Sequence, residues 1–317
     1  MMLVKIYWKI FRTWGVIVNS LYWLIRDIKY SEFSRGKNYL LYQMLISGHV
    51  MEKGITMPSR KKIFGIENAR RLIELCNEYI RKYGVVSDQL DFALDDLWEY
   101  KKIYHNNCND LPEDICNGIE ELLKKKNVAT YISRETTATS YFSRCNDFAT
   151  FAEQRHSIRS FIDKEVPNAV ITEVVKIAQT SPSACNRQSI KVHVYGKEKK
   201  NKILEIQNGN RGFGQMANKI LIVTSEQTAW DGYFTKAAYL DAGIFTMNLL
   251  YALHYYKIAA CTLNLYLFRK DMKRIRRLMD IADSEIPCVM IAIGYPSNTF
   301  SIAKSHRIGI NQVLTFH

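Results

Sequence analysis

The spacing of apolar residues separates a helical first half of the chain from a second half of mixed strands and helices. Before residue 150, helical spacing predicts three helices: "IENARRLIELCNEYIRKYG" (66–84), "SDQLDFALDDLWEYKKIYH" (87–105) and "LPEDICNGIEELLKKK" (111–126). Gly84 ends the first, Ser87 or Asp88 caps the second, and Pro112 lies near the start of the third.

After residue 150, short apolar runs alternate with helical patterns. Strands are predicted at "IKVHVYG" (190–196), "KILIVTS" (219–225), "IAACTLN" (258–264) and "CVMIAIG" (288–294). Helices are predicted over 169–180, 233–256 and 269–281, and the second of these is apolar on most faces. This alternation indicates an α+β or α/β layered architecture.

Two segments of the first half lack a clear helical period. Glycines, a proline and basic residues in "GHVMEKGITMPSRKKIFG" (48–65) predict a loop, and the polar stretch 130–147 predicts a linker. His49 and Glu52 suggest a metal site or an acid–base pair, but the second histidine of a zinc helix is absent, which favours a structural hydrogen bond.

The first thirty residues form an aromatic and aliphatic segment with a heptad seam. Its members are Leu3, Tyr7, Ile10, Trp14, Ile17, Leu21, Leu24 and Ile28. Only 13 uncharged residues separate Arg12 from Arg26, too few for a membrane-spanning helix, and no cleavage site of a signal peptide follows. We expect this helix to pack on its own protein or on a dimer mate, with binding to a membrane surface as the alternative.

Composition narrows the class of partner. The net charge of +13 favours anionic partners, yet the sequence contains no basic-aromatic module of a nucleic-acid-binding type, so we expect no nucleic acid partner. The seven cysteines form neither a CxxC pair nor a zinc spacing, so we expect no metal site, reduced thiols and a cytoplasmic location, with membrane association as the alternative.

Three polar motifs in the second half carry the candidate chemistry. "RHSIRSF" (155–161) and "KSHR" (304–307) offer guanidinium and ammonium donors suited to phosphate oxygens. "SPSACNRQ" (181–188) places a proline turn directly after a predicted helix. Each basic cluster alone is most simply a solvated surface.

Together with "DAGIFTMNLLYALHYYKIAACTLN" (241–264) and "GYPSN" (294–298), these motifs resemble the nitroreductase-like family of flavoenzymes over residues 150–317. The resemblance implies an α+β three-layer sandwich with a mixed, mainly antiparallel sheet and a central dimer helix. An all-helical extension, residues 1–149, would precede this FMN-binding domain. Segment 48–65 is similar to the extension of relatives associated with bacterial surface-polysaccharide clusters.

The resemblance also assigns roles to residues. Arg155, Ser157 and Arg159 match phosphate and ring-edge positions, His156 a main-chain and edge contact, and Lys304 and Arg307 the second phosphate anchor. The pyrimidine edge of FMN would meet Pro182, Ser183 and Asn186, a further ring contact would come from Asn210, and the main chain at Ala260 and Cys261 would approach the flavin N5. Cys185 would be a small wall residue rather than a nucleophile.

The implied function is ping-pong oxidoreduction, in which NADH or NADPH reduces FMN and a small-molecule acceptor reoxidises it. No side chain needs to act as a general acid, so no catalytic residue is assigned, and FMN would lie at the interface of a homodimer. The site cover found in many relatives looks short here. The alternatives are an FMN-binding scaffold that acts with surface-polysaccharide enzymes or at the membrane, and specialised flavin chemistry such as reductive dehalogenation.

Overall fold

A computed structural model describes residues 13–15, 17–18, 20–21, 24–25, 36–104, 111–126, 133–142, 147–184, 187–229, 235–265, 267 and 269–317. The helices are α1 (Lys37–Ile55), α2 (Ile66–Tyr83), α3 (Asp88–Ile103), α4 (Glu113–Lys125), α5 (Ala138–Phe142), α6 (Phe148–Gln154), α7 (Asn168–Ala178), α8 (Lys197–Ile206), α9 (Thr235–Tyr255) and α10 (Arg269–Met279). The strands are β1 (Ser133–Thr137), β2 (Ile190–Gly196), β3 (Lys219–Glu226), β4 (Ala259–Leu263), β5 (Glu285–Gly294) and β6 (Thr299–Ala303).

The chain divides into two compact units. The helical unit contains Arg35–Ala138 and Asn298–His317, and the sheet unit contains Met1–Ser34 and Thr139–Ser297. The sequence predicted one boundary at residues 149 and 150, whereas the structure assigns the C-terminal twenty residues to the helical unit. The physical reason is strand pairing: β6 pairs antiparallel with β1, with Glu135 opposite Ser301.

Four helices form the core of the helical unit. Their largest fully buried side chains are Met44, Met51, Leu72, Tyr79, Leu90, Leu94, Leu97, Tyr100, Ile115, Ile119 and Leu122. Helix α3 begins as predicted after Ser87, whose Oγ accepts a hydrogen bond from Leu90 N at 3.4 Å. Helix α2 ends as predicted at Gly84, whose φ of +82° suits glycine.

Two predictions for this unit are wrong. Residues 48–55 belong to α1 rather than to a loop, because Met51 and Ile55 face the core and Gly48 lets α1 approach α3 closely. The predicted linker contains β1 and α5, so the extension is not all-helical. The threonines of β1 suit a strand, and β6, some 160 residues later, supplies its partner.

The sheet unit contains a four-stranded sheet in the order β2–β3–β5–β4, antiparallel at every pairing. Helices α7 and α9 pack on it, and Leu221, Ile291 and Ile293 meet Phe245 and Leu249 in the core between them. The prediction of an α+β fold is confirmed, and all four predicted strands are present. Helix α8 was missed because four lysines in its ten residues obscure its apolar side.

The described residues between Thr13 and Ile25 are helical. Six apolar side chains here are each more than half exposed: Trp14, Ile17, Val18, Leu21, Leu24 and Ile25. In the part of the chain that the structure describes, these six side chains are largely uncovered, so packing on a dimer mate or contact with a membrane surface stays a prediction for this segment. Leu3, Tyr7, Ile10 and Ile28 of the predicted seam lie outside the described residues. No helix in the described ranges has the length and apolarity needed to cross a bilayer.

Candidate functional site

The segment after α6 carries the first basic motif and is fixed to the edge of the sheet. Asp147 caps α6 by accepting a hydrogen bond from Thr150 N at 2.9 Å, and the helix ends at Gln154. The chain then runs extended, and Ile158 N donates to the Ala260 carbonyl of edge strand β4 at 3.0 Å. This bond brings residues 155–159, called here the arginine segment, beside the main chain at Ala260.

Both arginines of this segment hold donors that lack acceptors. The Nε atoms of Arg155 and Arg159 are buried, and neither has a hydrogen-bond partner among the residues that the structure describes. The Arg159 guanidinium lies 6.0 Å from the centre of the Phe213 ring. Buried polar groups without partners are costly, so the two guanidinium groups suit an anionic ligand that supplies the acceptors.

The residues between the arginines have structural partners. His156 N donates to the Tyr141 hydroxyl at 2.8 Å, and His156 Nδ1 lies 2.7 Å from the Gln154 carbonyl oxygen. Ser157 is half-buried in the same extended segment. The main-chain N–H and the ring of His156 are thus both in contact with other residues of the chain, and a contact of His156 with a flavin stays a prediction.

His254 near the end of α9 is a buried site residue that sequence reasoning missed. Its ring packs against Tyr141, Phe142 and Phe151 at 5.3, 5.4 and 4.8 Å, and its Nε2 has no hydrogen-bond partner. Burial, with the charge of nearby Arg155, lowers the pKa of His254 to about 4. The sequence signal that could have pointed to His254 was a histidine in a predicted helix that is apolar on most faces.

The loop that contains Asn210 is braced internally and against the end of β4. Asn210 is buried, and its Nδ2 donates to the carbonyls of Leu204 and Gln207 at 2.7 and 2.6 Å. Gln207 Nε2 in turn donates to the Asn264 carbonyl at 2.8 Å. Asn210 thus shapes the loop that presents Phe213, while a contact from its own side chain to a flavin stays a prediction.

The proline turn is attached to α9. Asp241 accepts a hydrogen bond from Ala184 N at 3.1 Å, and Ser181 Oγ accepts one from Asn248 Nδ2 at 3.0 Å. Ser183 Oγ accepts from Gln188 N at 3.0 Å, which closes the turn, and Pro182 is exposed. Cys185 and Asn186 lie outside the described residues. Ser181 therefore contacts α9, and Ser183 contacts its own loop.

The remaining predicted residues lie in two places. Ala260 and Cys261 are buried on β4, and the Cys261 thiol contacts the Thr262 carbonyl at 3.7 Å. Lys304 and Arg307 belong to the helical unit, where Arg307 Nη1 donates to the carbonyls of Ser305 and His306. Both side chains are exposed.

A cavity of about 780 Å³ lies where β2 ends and β3 begins, and Phe161 at the end of the first basic motif lines it, whereas Arg155 and Arg159 do not. Two buried lysines line it, but their ammonium groups already have acceptors. Lys200 Nζ donates to the Gln215 carbonyl at 3.0 Å, and Lys219 Nζ lies 2.6 Å from Glu165 Oε1. We therefore place the candidate site at the arginine segment, where buried donors lack partners.

Comparison with known proteins finds similarity in the sheet unit. Residues 152–222 match the sequence model of the nitroreductase family. A protein of Methanothermobacter thermautotrophicus, provisionally named an NADH dehydrogenase/NAD(P)H nitroreductase, is 28% identical over 149 residues, which is 45% of this chain and 74% of that protein. An iodotyrosine deiodinase of Hydra vulgaris is 20% identical over 262 residues, covering 73% of this chain and 95% of that protein.

Among solved structures, an FMN-dependent nitroreductase of Clostridium difficile aligns with a TM-score of 0.43 at 20% identity, over 47% of this chain and 88% of that one. The family match begins within α6 and includes Arg155, Ser157, Arg159 and the turn at Pro182. Over residues 152–222, the chain therefore matches the nitroreductase family.

Proposed function

We propose that this chain is an FMN-dependent oxidoreductase that uses NADH or NADPH to reduce a small-molecule acceptor. The observation that carries the proposal is the pair of buried Nε donors on Arg155 and Arg159 without acceptors. The dianionic phosphate of FMN has the oxygens that two guanidinium groups require. The names of the nitroreductase relatives support the same cofactor and reductant.

In this proposal the residues of the chain bind and orient the cofactor. Arg155, Ser157 and Arg159 hold the phosphate and ring edge. A second phosphate anchor at Lys304 and Arg307 stays a prediction from their motif, and in the structure Arg307 Nη1 donates to main-chain carbonyls of its own segment. The sequence predicts further contacts with the edge of the flavin ring, and these stay predictions for His156, Pro182, Ser183, Asn186 and Asn210.

The edge of β4 supplies main-chain groups for the reacting part of the ring. The Ala260 carbonyl points to the open edge of the sheet, since it accepts from Ile158 N. In a strand the N–H and C=O of one residue point to the same side, so the Ala260 N–H faces that edge too. A main-chain N–H there stabilises negative charge on a reduced ring.

When bound, FMN would supply the hydride chemistry between NADH or NADPH and the acceptor, in the ping-pong order that the resemblance implies. The chain contributes position, charge and exclusion of water. His254 stays neutral at physiological pH because of its lowered pKa, so it adds no positive charge beside Arg155.

A homodimer is part of the proposal. Helix α9 exposes Tyr239, Leu240 and Ile244, although its opposite side packs in the core. An exposed apolar face on an otherwise buried helix favours association with another surface. Because the proline turn is bonded to α9, a second copy that covers α9 would also meet the turn.

The exposed apolar residues between Trp14 and Ile25 favour a second candidate. In it, the chain is an FMN-binding scaffold that acts at a membrane surface or with surface-polysaccharide enzymes, with little turnover. As to acceptor class, the name of the Hydra relative supports testing halogenated phenols beside nitroaromatics.

The deciding experiment is the colour and redox response of the purified full chain. We expect a yellow protein that releases FMN on denaturation and is bleached anaerobically by NADH or NADPH. A colourless protein that FMN cannot reconstitute would refute flavin binding. A yellow protein that neither nucleotide bleaches would favour the scaffold.

A further inference from the structure

His254, near the end of α9, lies among aromatic rings beside the arginine segment, and the proposed oxidoreductase function gives it no contact with the cofactor. The residue is only 4% exposed. The rings of Tyr141 and Phe142 from α5 lie 5.3 and 5.4 Å from its ring, and the ring of Phe151 from α6 lies 4.8 Å away. Packing between three helices therefore fixes the imidazole in one place.

Three side-chain polar atoms at this place are buried and have no hydrogen-bond partner among the residues that the structure describes. They are Nε2 of His254, Nε of Arg155 and Oε1 of Gln154. Gln154 and Arg155 are consecutive at the end of α6, the helix whose Phe151 packs on the His254 ring. Buried polar atoms rarely lack partners, so three from neighbouring elements indicate a group that the chain itself does not supply.

The charge state of His254 makes it a hydrogen-bond donor without a charge of its own. The titratable groups around its ring are Arg155 and His156 of the arginine segment and the hydroxyl of Tyr141. Burial first, and then the charges of Arg155 and His156, lower the pKa of His254 to about 4. The ring is therefore neutral at pH 7, and one of its two nitrogens carries a hydrogen.

An anionic oxygen satisfies both unpartnered nitrogens at once. Arg155 Nε always carries a hydrogen, and His254 Nε2 carries one in one of the two neutral tautomers. A phosphate oxygen accepts several hydrogen bonds, and hydrogen bonds to an ionised acceptor are stronger than neutral ones. A water that also donates to Gln154 Oε1 is the competing explanation, and it would make the affinity for a phosphate ligand independent of His254.

We propose that His254 is a phosphate-binding residue of the candidate flavin site, and that its Nε2–H donates to the same anion that Arg155 binds. The inference rests on the proposed function, because the phosphate that it names is that of FMN. It adds a contact from α9, about a hundred residues later in the chain, to a site that the basic motif alone defined. Because the donor is neutral and enclosed, it favours FMN over riboflavin, which lacks the phosphate, by hydrogen bonding rather than by net charge.

The test is titration of the full-length apoprotein with FMN and with riboflavin at pH 7, followed by flavin fluorescence. His254→Phe keeps an aromatic ring but has no donor, so the Kd of FMN should rise about ten- to hundred-fold, whereas the Kd of riboflavin should not change. His254→Gln retains an N–H donor and should recover most of the FMN affinity. A purely structural role for His254 would instead change both affinities together.

Tyr255→Phe is the matched control, since it removes one polar group from an exposed neighbour on α9 and should leave both affinities unchanged. If His254→Phe does not fold, as circular dichroism would show, nuclear magnetic resonance of the wild type decides. A bound dianion favours the imidazolium, so FMN should raise the pKa of His254 from about 4 to about 5 or higher, and riboflavin should not.

Unchanged FMN affinity in folded His254→Phe, an equal loss for FMN and riboflavin, or a pKa of His254 that FMN does not move would overturn the proposal. Each of these results leaves FMN bound to the wild type, and so leaves the proposed oxidoreductase function intact. A wild type that binds no FMN would overturn both. The two failures are therefore distinguishable in the same titration.

Discussion

The main-chain N–H of Ile158 donates a hydrogen bond to the carbonyl oxygen of Ala260 at 3.0 Å. This bond joins two segments about a hundred residues apart in sequence and aligns the arginine segment along edge strand β4. Buried Ile158 anchors the segment, while the arginines on either side keep donors available. The position of the candidate site therefore depends on a main-chain bond that no single motif reveals.

Replacement of Arg155 should weaken FMN binding. Loss of a hydrogen bond from a charged group costs roughly 1.5–3 kcal/mol, so Arg155→Ala should raise the Kd of FMN by about one to two decades. Fluorescence titration of apoprotein with FMN measures this. Arg274→Ala, which removes an exposed arginine from α10, serves as the control and should bind FMN normally. Wild-type affinity in Arg155→Ala would show that this arginine makes no phosphate contact.

The buried His254 should make stability depend on pH. Its folded pKa of about 4 lies below the unfolded value of 6.5, so the unfolded state binds more protons between these values. The free energy of unfolding should therefore fall as pH drops from about 6.5 to 4, by up to about 3 kcal/mol. His254→Gln should flatten this slope in denaturant titrations, and exposed His317→Gln should not. An unchanged slope in His254→Gln would mean that its ring is accessible to protons.

A charge on the exposed face of α9 should disrupt the proposed dimer. Leu240 is 64% exposed in the single chain, so Leu240→Glu costs little in an isolated copy but buries a charge in a dimer. We expect light scattering after size exclusion to show dimer for the wild type and monomer for Leu240→Glu, with loss of FMN. Ile310→Glu, at an exposed site in the C-terminal segment, is the comparison. A dimeric Leu240→Glu protein would contradict α9 as the interface.

Deletion of residues 1–30 should separate the two roles left for the N-terminal segment. If a second copy covers Trp14, Ile17 and Leu21, the deletion lowers the Tm or causes aggregation, with or without lipid. If the segment binds a membrane surface, the shortened protein stays a stable yellow dimer and loses only binding to anionic liposomes. Because Trp14, Ile17 and Leu21 are exposed in the single chain, we expect the deletion to lower the Tm or cause aggregation. Thermal melts and liposome sedimentation on the same samples distinguish the two.

The sequence predicted correctly those elements of the fold that depend on residues close together in the chain. The alternation of apolar and polar residues predicted β2. Ser87 marked the start of α3 and Gly84 the end of α2, because capping depends on one or two neighbouring residues. β1 was missed because its pairing partner is β6, far along the chain, and a polar five-residue strand has little pattern of its own. The glycines at 48 and 54 suggested a loop, although in α1 they permit close packing on Asp96 and Phe64.

In the candidate site, too, some features could be predicted from neighbouring residues and others could not. Residue type and the resemblance of their motif selected Arg155 and Arg159, because guanidinium groups match phosphate oxygens, and their role in phosphate binding stays a prediction. The sequence could not show that the amide of Asn210 is used within its own loop, or that His254 is buried beside Tyr141. Those facts follow from the packing of α9 and of the loop after α8, which long-range contacts determine.

The pairing of β1 with β6 bears on the order in which the protein folds during synthesis. The helical unit is discontinuous in sequence, and its last strand is translated only after the whole sheet unit has been synthesised. Helices α1 to α4 can assemble early from local contacts, but β1 remains an unpaired edge until Thr299–Ala303 emerges. A nascent chain stalled before residue 299 would therefore display an open strand, a state in which chaperone binding and aggregation compete with completion of the fold.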